Sequence, residues 1–402
     1  MSRFSIREKC RVNTNRDADV FVGVRCEDGD IRINFPLGYK ISENERELRK
    51  DILLLLQTIK TTTARKDAVL PDGGRAYRES AFPMQAYLTV IYDYYARGYY
   101  RERQTIHSVA KSGRIDWNKT IGSQKAYIQG ANAYYLDFVT KKSTMSSDAL
   151  ITRIHEYCVY ESFSKIGWLF TGALPLRPTL QYHEKLFQSV LRDRLVHTFR
   201  DRDRGLLLAM LAIVNNQEAD SPGENYEYGT HRFEYVWEAM IDRVYGIRGK
   251  ADYFPRVYWN TAQGVRAKAP LEPDTIMVSG STVYVLDAKY YKYGVTGKDS
   301  DLPGSASVNK QITYAEYIAE QEKFRQMYGD DFQVYNAFLM PFCAELEHIV
   351  RIGEACGDWK SNKKPYERVQ GILVDTKYLM KANAGCGGEE ILELADKIGR
   401  FV

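Results

Sequence analysis

The chain has 402 residues, 44% hydrophobic and 27% charged, enough for a large core and for two or three domains. A net charge of +4 excludes a polycation, so any nucleic-acid contact has to come from a local patch. Six cysteines (Cys10, Cys26, Cys158, Cys343, Cys356, Cys386) form no C-x-x-C pair; this argues against a cysteine zinc site, an iron–sulfur cluster or a disulfide framework and suits a reducing cytosol. The first residues carry no apolar signal-peptide core, and the longest apolar stretch, 206–214, is too short for a bilayer. A cytoplasmic protein without membrane contact is expected. Thirty tyrosines are read as packing residues with satisfied hydroxyls.

In chain order, residues 1–40 read as short strands at 11–13, 20–24 and 31–35, separated by turn residues such as Asp28-Gly29-Asp30. Ser42 and Glu45 form a possible capping box for a helix whose apolar face is Leu48, Ile52, Leu55 and Ile59. Residues 61–80 read as a linker. A mainly helical region follows. Pro83 opens a helix that Gly98 ends, Gly113 to Trp117 is a compact turn with a buried Trp117, and strand pairs continue through 126–139. Ser147 caps a helix to 165, and another spans 180–199. Arg200-Asp201-Arg202-Asp203-Arg204 alternates in sign and reads as a solvated turn. Thr230 caps a helix over 233–245 that Gly246 ends. A strand near 253–259, a hairpin, a helix over 308–327 and strands at 334–340 and 369–375 complete an α+β chain of three regions: 1–75 β-rich, 76–220 mainly helical, and 221–402 α/β with a mixed sheet flanked by helices.

The chemistry concentrates in the hairpin. Two apolar runs, 275–278 and 282–286, flank Ser279-Gly280-Ser281. Asp274 starts the first strand, Asp287 ends the second, and Lys289 lies two residues on. Strand alternation puts Asp287 and Lys289 on one face, and hairpin pairing brings Asp274 beside Asp287. Two carboxylates and an ammonium then converge, a set able to hold Mg²⁺ on hard oxygens beside an attacked phosphate. The plain alternative is a surface hairpin with a chance D-x-K. On the preceding helix Glu234 and Glu238 share a face; both would otherwise be ordinary acids favoured by the helix dipole. There is no G-x-S-x-G elbow, no H-E-x-x-H and no P-loop, and the six histidines lack ligand spacing.

Pro273-Asp274, then twelve residues, then Asp287-Ala288-Lys289, resembles the signature of the PD-(D/E)XK nuclease superfamily, which implies an αβββαβ core. The resemblance implies that Asp274 and Asp287 bind Mg²⁺ (Mn²⁺ substituting), that the Ala288 carbonyl adds a ligand, and that Lys289 positions the attacking water. A helix glutamate completes the site: Glu234, whose Phe233-Glu234 step is similar to that of McrC-type subunits, with Glu238 as the alternative. Gln311 and Tyr314 resemble the Q-x(2,3)-Y element of RecB- and McrC-type nucleases, in the shorter spacing; the longer would need a tyrosine at Ala315. That element implies a glutamine orienting the lysine or substrate and a tyrosine on the phosphate backbone, while the plain alternative is a polar helix start with a packed tyrosine. Lys292, Lys298, Lys310, Lys363 and Lys364 are candidate phosphate contacts, with a solvated surface charge as the alternative.

Gly113-Arg114-Ile115-Asp116-Trp117-Asn118-Lys119-Thr120-Ile121, Arg153-Ile154-His155-Glu156-Tyr157, Phe233-Glu234-Tyr235-Val236-Trp237-Glu238 and Gly371-Ile372-Leu373-Val374-Asp375-Thr376-Lys377-Tyr378 resemble segments of the LlaJI-type restriction endonuclease family, itself similar to McrC, over roughly residues 75 to 380. The resemblance implies a subunit that cuts double-stranded DNA in a bacterial restriction system. Its motor is a separate AAA+ GTPase, docked on the N-terminal part, and a homo-oligomer is open. The alternatives are a self-sufficient type II enzyme, disfavoured by the lack of an evident basic face in 75–215, and an inert activator subunit.

Overall fold

In the computed structural model the first strands of the chain pair with one that begins some 200 residues later. The structure describes residues 5–16, 19–63, 82–146, 149–170, 173–216, 225–385 and 387–399. In chain order the elements are β1 (Cys10–Val12), β2 (Val22–Glu27), β3 (Asp30–Phe35), α1 (Glu45–Thr63), α2 (Met84–Arg97), β4 (Glu102–Ala110), α3 (Trp117–Ser123), β5 (Ala126–Gln129), β6 (Asn132–Tyr135), β7 (Phe138–Ser146), α4 (Leu150–Ile166), α5 (Glu184–His197) and α6 (Asp201–Asn216). There follow β8 (Tyr226–Thr230), α7 (Phe233–Tyr245), β9 (Tyr258–Thr261), β10 (Gly264–Ala267), β11 (Thr275–Ser279), β12 (Thr282–Ala288), α8 (Tyr293–Thr296), α9 (Ser305–Glu320), α10 (Glu322–Tyr328), β13 (Gln333–Phe342), β14 (Ile349–Cys356), β15 (Arg368–Asp375), α11 (Thr376–Ala384) and α12 (Glu389–Gly399). The chain is mixed α+β, as expected, but it divides into two compact units rather than three regions.

The first unit joins residues 1–80 to 225–402. One of its sheets runs β1-β3-β2-β8, so the N-terminal strands do not stand apart as a separate region. β2 and β8 approach so closely that a Cβ on Gly23, whose φ is +142°, would lie 2.5 Å from the Gly229 Cα; glycine is the residue that allows this. The other sheet runs β11-β12-β13-β15-β14. Its β11–β12 pair is the expected hairpin, β12, β13 and β15 are parallel, and β14 closes the edge antiparallel. Helix α9 lies on the face formed by Ile276, Val283 and Val285, where Tyr314, Ala315 and Ile318 pack.

Several expectations change here. The segment near 253–259 contributes no strand to this sheet; β9 instead pairs with β10 in a separate two-stranded ribbon. β14 was not anticipated, because glycine and charge break its apolar run and Arg351/Gly353 mark a bulge. The cap of α1 is Asn44, whose Oδ1 accepts from the backbone of Arg46 and Glu47, while Ser42 donates to Asp51.

The second unit, 81–224, is helical among its described residues apart from two two-stranded sheets, β4–β7 and β5–β6. Helices α2, α4, α5 and α6 bury Tyr87, Ile91, Ile154, Phe187, Leu191 and Met210. The expected solvated turn at 200–204 is instead the start of α6, because Arg97 pairs with Asp203 at 2.8 Å and Arg202 reaches the buried Asp93 at 3.4 Å. Asp116 caps α3 by accepting from the Lys119 N–H, and Trp117 is 52% exposed, not buried, with its ring edge-on to Phe138. Residues 64–81 and the Ser147 cap lie outside the described residues. Among those described, five cysteines are free thiols, and no helix is long and apolar enough to cross a membrane.

Candidate functional site

The hairpin turn sets the site. Gly280 at φ +59° closes a register that pairs Thr275 with Leu286, so Asp274 stands one step beyond, opposite Asp287. The Ala288 N–H donates to Asp274 Oδ2 at 3.0 Å. Lys289 Nζ lies 2.9 Å from Asp287 Oδ2, near enough for an ion pair yet off line for a hydrogen bond. That oxygen is buried with no hydrogen-bond partner among the described residues.

Burial raises the Asp274 carboxyl well above the usual range. A hydrogen bond with Asp287, the Asp287 charge and the Glu238 charge raise it further, and the Ala288 N–H only partly opposes them. Burial lowers the affinity of Lys310 for its proton, but Tyr314 and the charges of Asp274 and Asp287 outweigh it, so Lys310 is raised on balance. Its Nζ stands 5.4 Å from the Tyr314 ring centroid.

The two candidate helix acids meet different surroundings. Glu234 is exposed and paired with Arg232 at 2.9 Å, whereas Glu238 is half-buried and is the one whose charge acts on Asp274. Gln311 is 1% exposed and donates to the Val285 carbonyl at 2.6 Å, tying α9 to β12 two residues before Asp287. Tyr314 is likewise buried, its hydroxyl donating to the Glu272 carbonyl at 3.4 Å. Lys364 bonds the Tyr366 hydroxyl and lines a cleft with Gln333 and Val334, at the start of β13, away from the acids.

Sequence reasoning missed the groups that brace this cluster. Trp237 is fully buried and donates from Nε1 to the Leu339 carbonyl at 3.1 Å; the same carbonyl accepts the Lys289 N–H at 3.0 Å. Lys250 bonds both Asp242, at 2.7 Å, and the Asp274 carbonyl. Tyr290, next to Lys289, is buried, and its hydroxyl accepts the Leu37 N–H at 2.7 Å, so the N-terminal segment holds the site from behind. Only long-range pairing reveals these partners; no local signal marks them.

The oxygen set fits a hard divalent cation: two converging carboxylates, one raised, the other with a buried oxygen that has the Lys289 ammonium beside it but no hydrogen bond among the described residues. Among the described residues no three His, Cys, Asp or Glu side chains stand together in ligating geometry. Mg²⁺ commonly takes one or two carboxylates and keeps several waters, so a pair suffices.

The family model described as LlaJI restriction endonuclease matches residues 21–355. The chain is also 28% identical over 265 residues to the protein named type II restriction enzyme BsuMI component YdjA of Bacillus subtilis (strain 168). That match covers 61% of this chain and 55% of the relative, so the chain spans about half the length of the relative it matches.

Proposed function

The chain belongs to the LlaJI restriction endonuclease family, and on that premise we propose that it is the subunit that hydrolyses double-stranded DNA in a restriction system, on a PD-(D/E)XK site. Asp274 and Asp287 hold Mg²⁺, or Mn²⁺ in its place, with the Ala288 carbonyl as a further donor. The observation that carries this reading is the convergence of Asp274, Asp287 and Lys289 around a buried carboxylate oxygen without a hydrogen-bond partner. The cation, when bound, neutralises charge on the attacked phosphate and makes its water more acidic.

Each side chain then has a task. Lys289, fixed through its own N–H to Leu339, aims its ammonium at the phosphate, positions the attacking water and offsets developing charge. Lys310, whose proton the charges of Asp274 and Asp287 help to hold, supplies a second cation to the phosphate backbone. Glu238 adds negative charge behind Asp274 and strengthens cation binding. Gln311 holds the strand in place.

The test is cleavage of plasmid DNA in Mg²⁺. Asp287→Asn and Lys289→Ala should each lose at least about a hundredfold in rate, the scale of removing one electrostatic contact from a transition state. Circular dichroism and melting should match the parent. Parental cleavage by either variant overturns the assignment. A name that makes the relative one component of an enzyme supports work alongside other subunits. On this reading the partner is an AAA+ GTPase, and cutting by the purified chain rises when it and GTP are added; robust site-specific cleavage without them favours the self-sufficient type II enzyme.

A further inference from the structure

Residues 256–272 are exposed without a break, between the buried Pro255 and the buried Pro273 that precedes Asp274. Within this stretch β9 and β10 form the two-stranded ribbon already described, pairing Trp259 with Arg266 and Tyr258 with Ala267. Backbone bonds tie its base: Lys268 N–H to the Val257 carbonyl at 2.8 Å, and Leu271 N–H to that of Pro255 at 2.9 Å. No other strand joins the ribbon among the described residues. Yet Tyr258 is 67% exposed, Trp259 61% and Val265 69%. A lone hairpin with uncovered aromatics is marginal in water and gains stability from whatever covers it.

Alternation divides the ribbon. Trp259 and Thr261 share a face with Arg266, and Lys268, opposite Val257, continues it; Tyr258, Asn260, Val265 and Ala267 make the other face. One face is thus basic and aromatic. The charged residues of 256–272 are Arg256, Arg266 and Lys268 on the ribbon and its base, and one acid, Glu272, at the end of the stretch. In a chain of net charge +4 that bias is local.

We propose that this ribbon is a DNA-docking element, its Trp259–Arg266–Lys268 face seated on the duplex flanking the cleaved bond. The occupant follows from charge and place. Three cations against one acid at the base suit a phosphate backbone, and the major groove admits a two-stranded ribbon. Asp274 lies seven residues on from Ala267, a reach of at most about 25 Å. One turn of duplex is about 34 Å, so the ribbon meets DNA within one turn of the acids. The proposal rests on the cleavage reading of those acids.

The test uses the whole chain with Asp287→Asn, which prevents cutting, and fluorescence anisotropy with a duplex of about three turns over about 50–200 mM salt. Adding Arg266→Ala and Lys268→Ala should weaken binding about tenfold and flatten the log–log salt slope by about 2. Adding Trp259→Ala should weaken it about fivefold or more, as expected for lost aromatic contact with a base or sugar. Melting temperatures should not move, since these side chains are exposed. Parental binding by both ribbon variants overturns the proposal, as does a parent that fails to bind duplex at the lowest salt. The same ribbon substitutions placed in the chain that keeps Asp287 also overturn it if DNA binding is normal while partner-dependent cutting is lost, assigning the ribbon to a protein partner. An Asp287→Asn chain that still cuts would sink the cleavage reading alone, because ribbon binding is measured separately.

Discussion

Glu234 and Glu238 sit one turn apart on α7 and meet different surroundings. The 3.6-residue period explains why sequence could not separate them: both project from the same side. Burial of Phe233, Val236 and Trp237 sets the turn of α7, leaving Glu238 half-buried with its charge acting on Asp274 and Glu234 exposed and paired with Arg232. Glu238→Gln should therefore lower Mg²⁺-dependent cleavage by about tenfold or more, partly restored by excess Mg²⁺ or Mn²⁺, because it removes charge that favours the cation. Glu234→Gln should change it by less than about threefold, an exposed ion pair contributing little. A titration of rate against Mg²⁺ decides, and the reverse order returns the role to Glu234. Asp274, Asp287 and Lys289 were legible because a hairpin's register follows from its turn. Lys250 and Trp237 were not, because they act through backbone carbonyls that no motif names.

Elements were legible where a local period meets a buried face. Leu48, Ile52, Leu55 and Ile59 are all fully buried on α1, and the Gly280 turn joins β11 to β12. Elements failed where partners lie elsewhere in the chain. The charged start of α6 looked like a turn until Asp93 and Arg97 were seen to pair with it. On α4, His155 looked like part of a family segment only. It is fully buried, its Nδ1 accepts the Tyr100 N–H at 2.9 Å, and its Nε2 has no partner among the described residues. Burial lowers its pKa from the ordinary 6.5 to about 4, with Arg97 adding to the effect and Asp93 opposing it. The folded state therefore binds fewer protons than the unfolded between those values. Stability held above pH 6.5 should be lost as pH falls towards 4, by as much as about 3 kcal/mol. Thermal melts of the second unit at both ends of that window should show it. His155→Asn, which cannot take up the proton, should flatten the acid dependence; an unchanged slope would remove His155 as its source.

At the scale of the molecule the sequence suggested a detachable N-terminal docking region, and the pairing of strands speaks against that. Ile33 and Phe35 are fully buried in a sheet that includes β8, and Leu37 bonds both Tyr290 and Thr376. Removing residues 1–40 would take out the support behind Lys289, so its effect on cutting would say nothing about docking. The piece that the fold makes separable is 81–224, inserted between two halves that already hold each other through β2 and β8. Within it, residues 101–142 carry eight Lys or Arg against three Asp or Glu, a local excess that the whole-chain charge of +4 hides. Replacing 82–224 by a flexible linker should leave a folded first unit. Linker closure costs only the logarithm of its length, whereas the two sheets bury most of that unit's core. A cooperative melt, with Mg²⁺ raising the midpoint in the excised protein but not in its Asp287→Asn form, would establish that the site assembles without the insert. If the excised chain melts without cooperativity while 82–216 folds alone, the insert is needed to build the site rather than added to it.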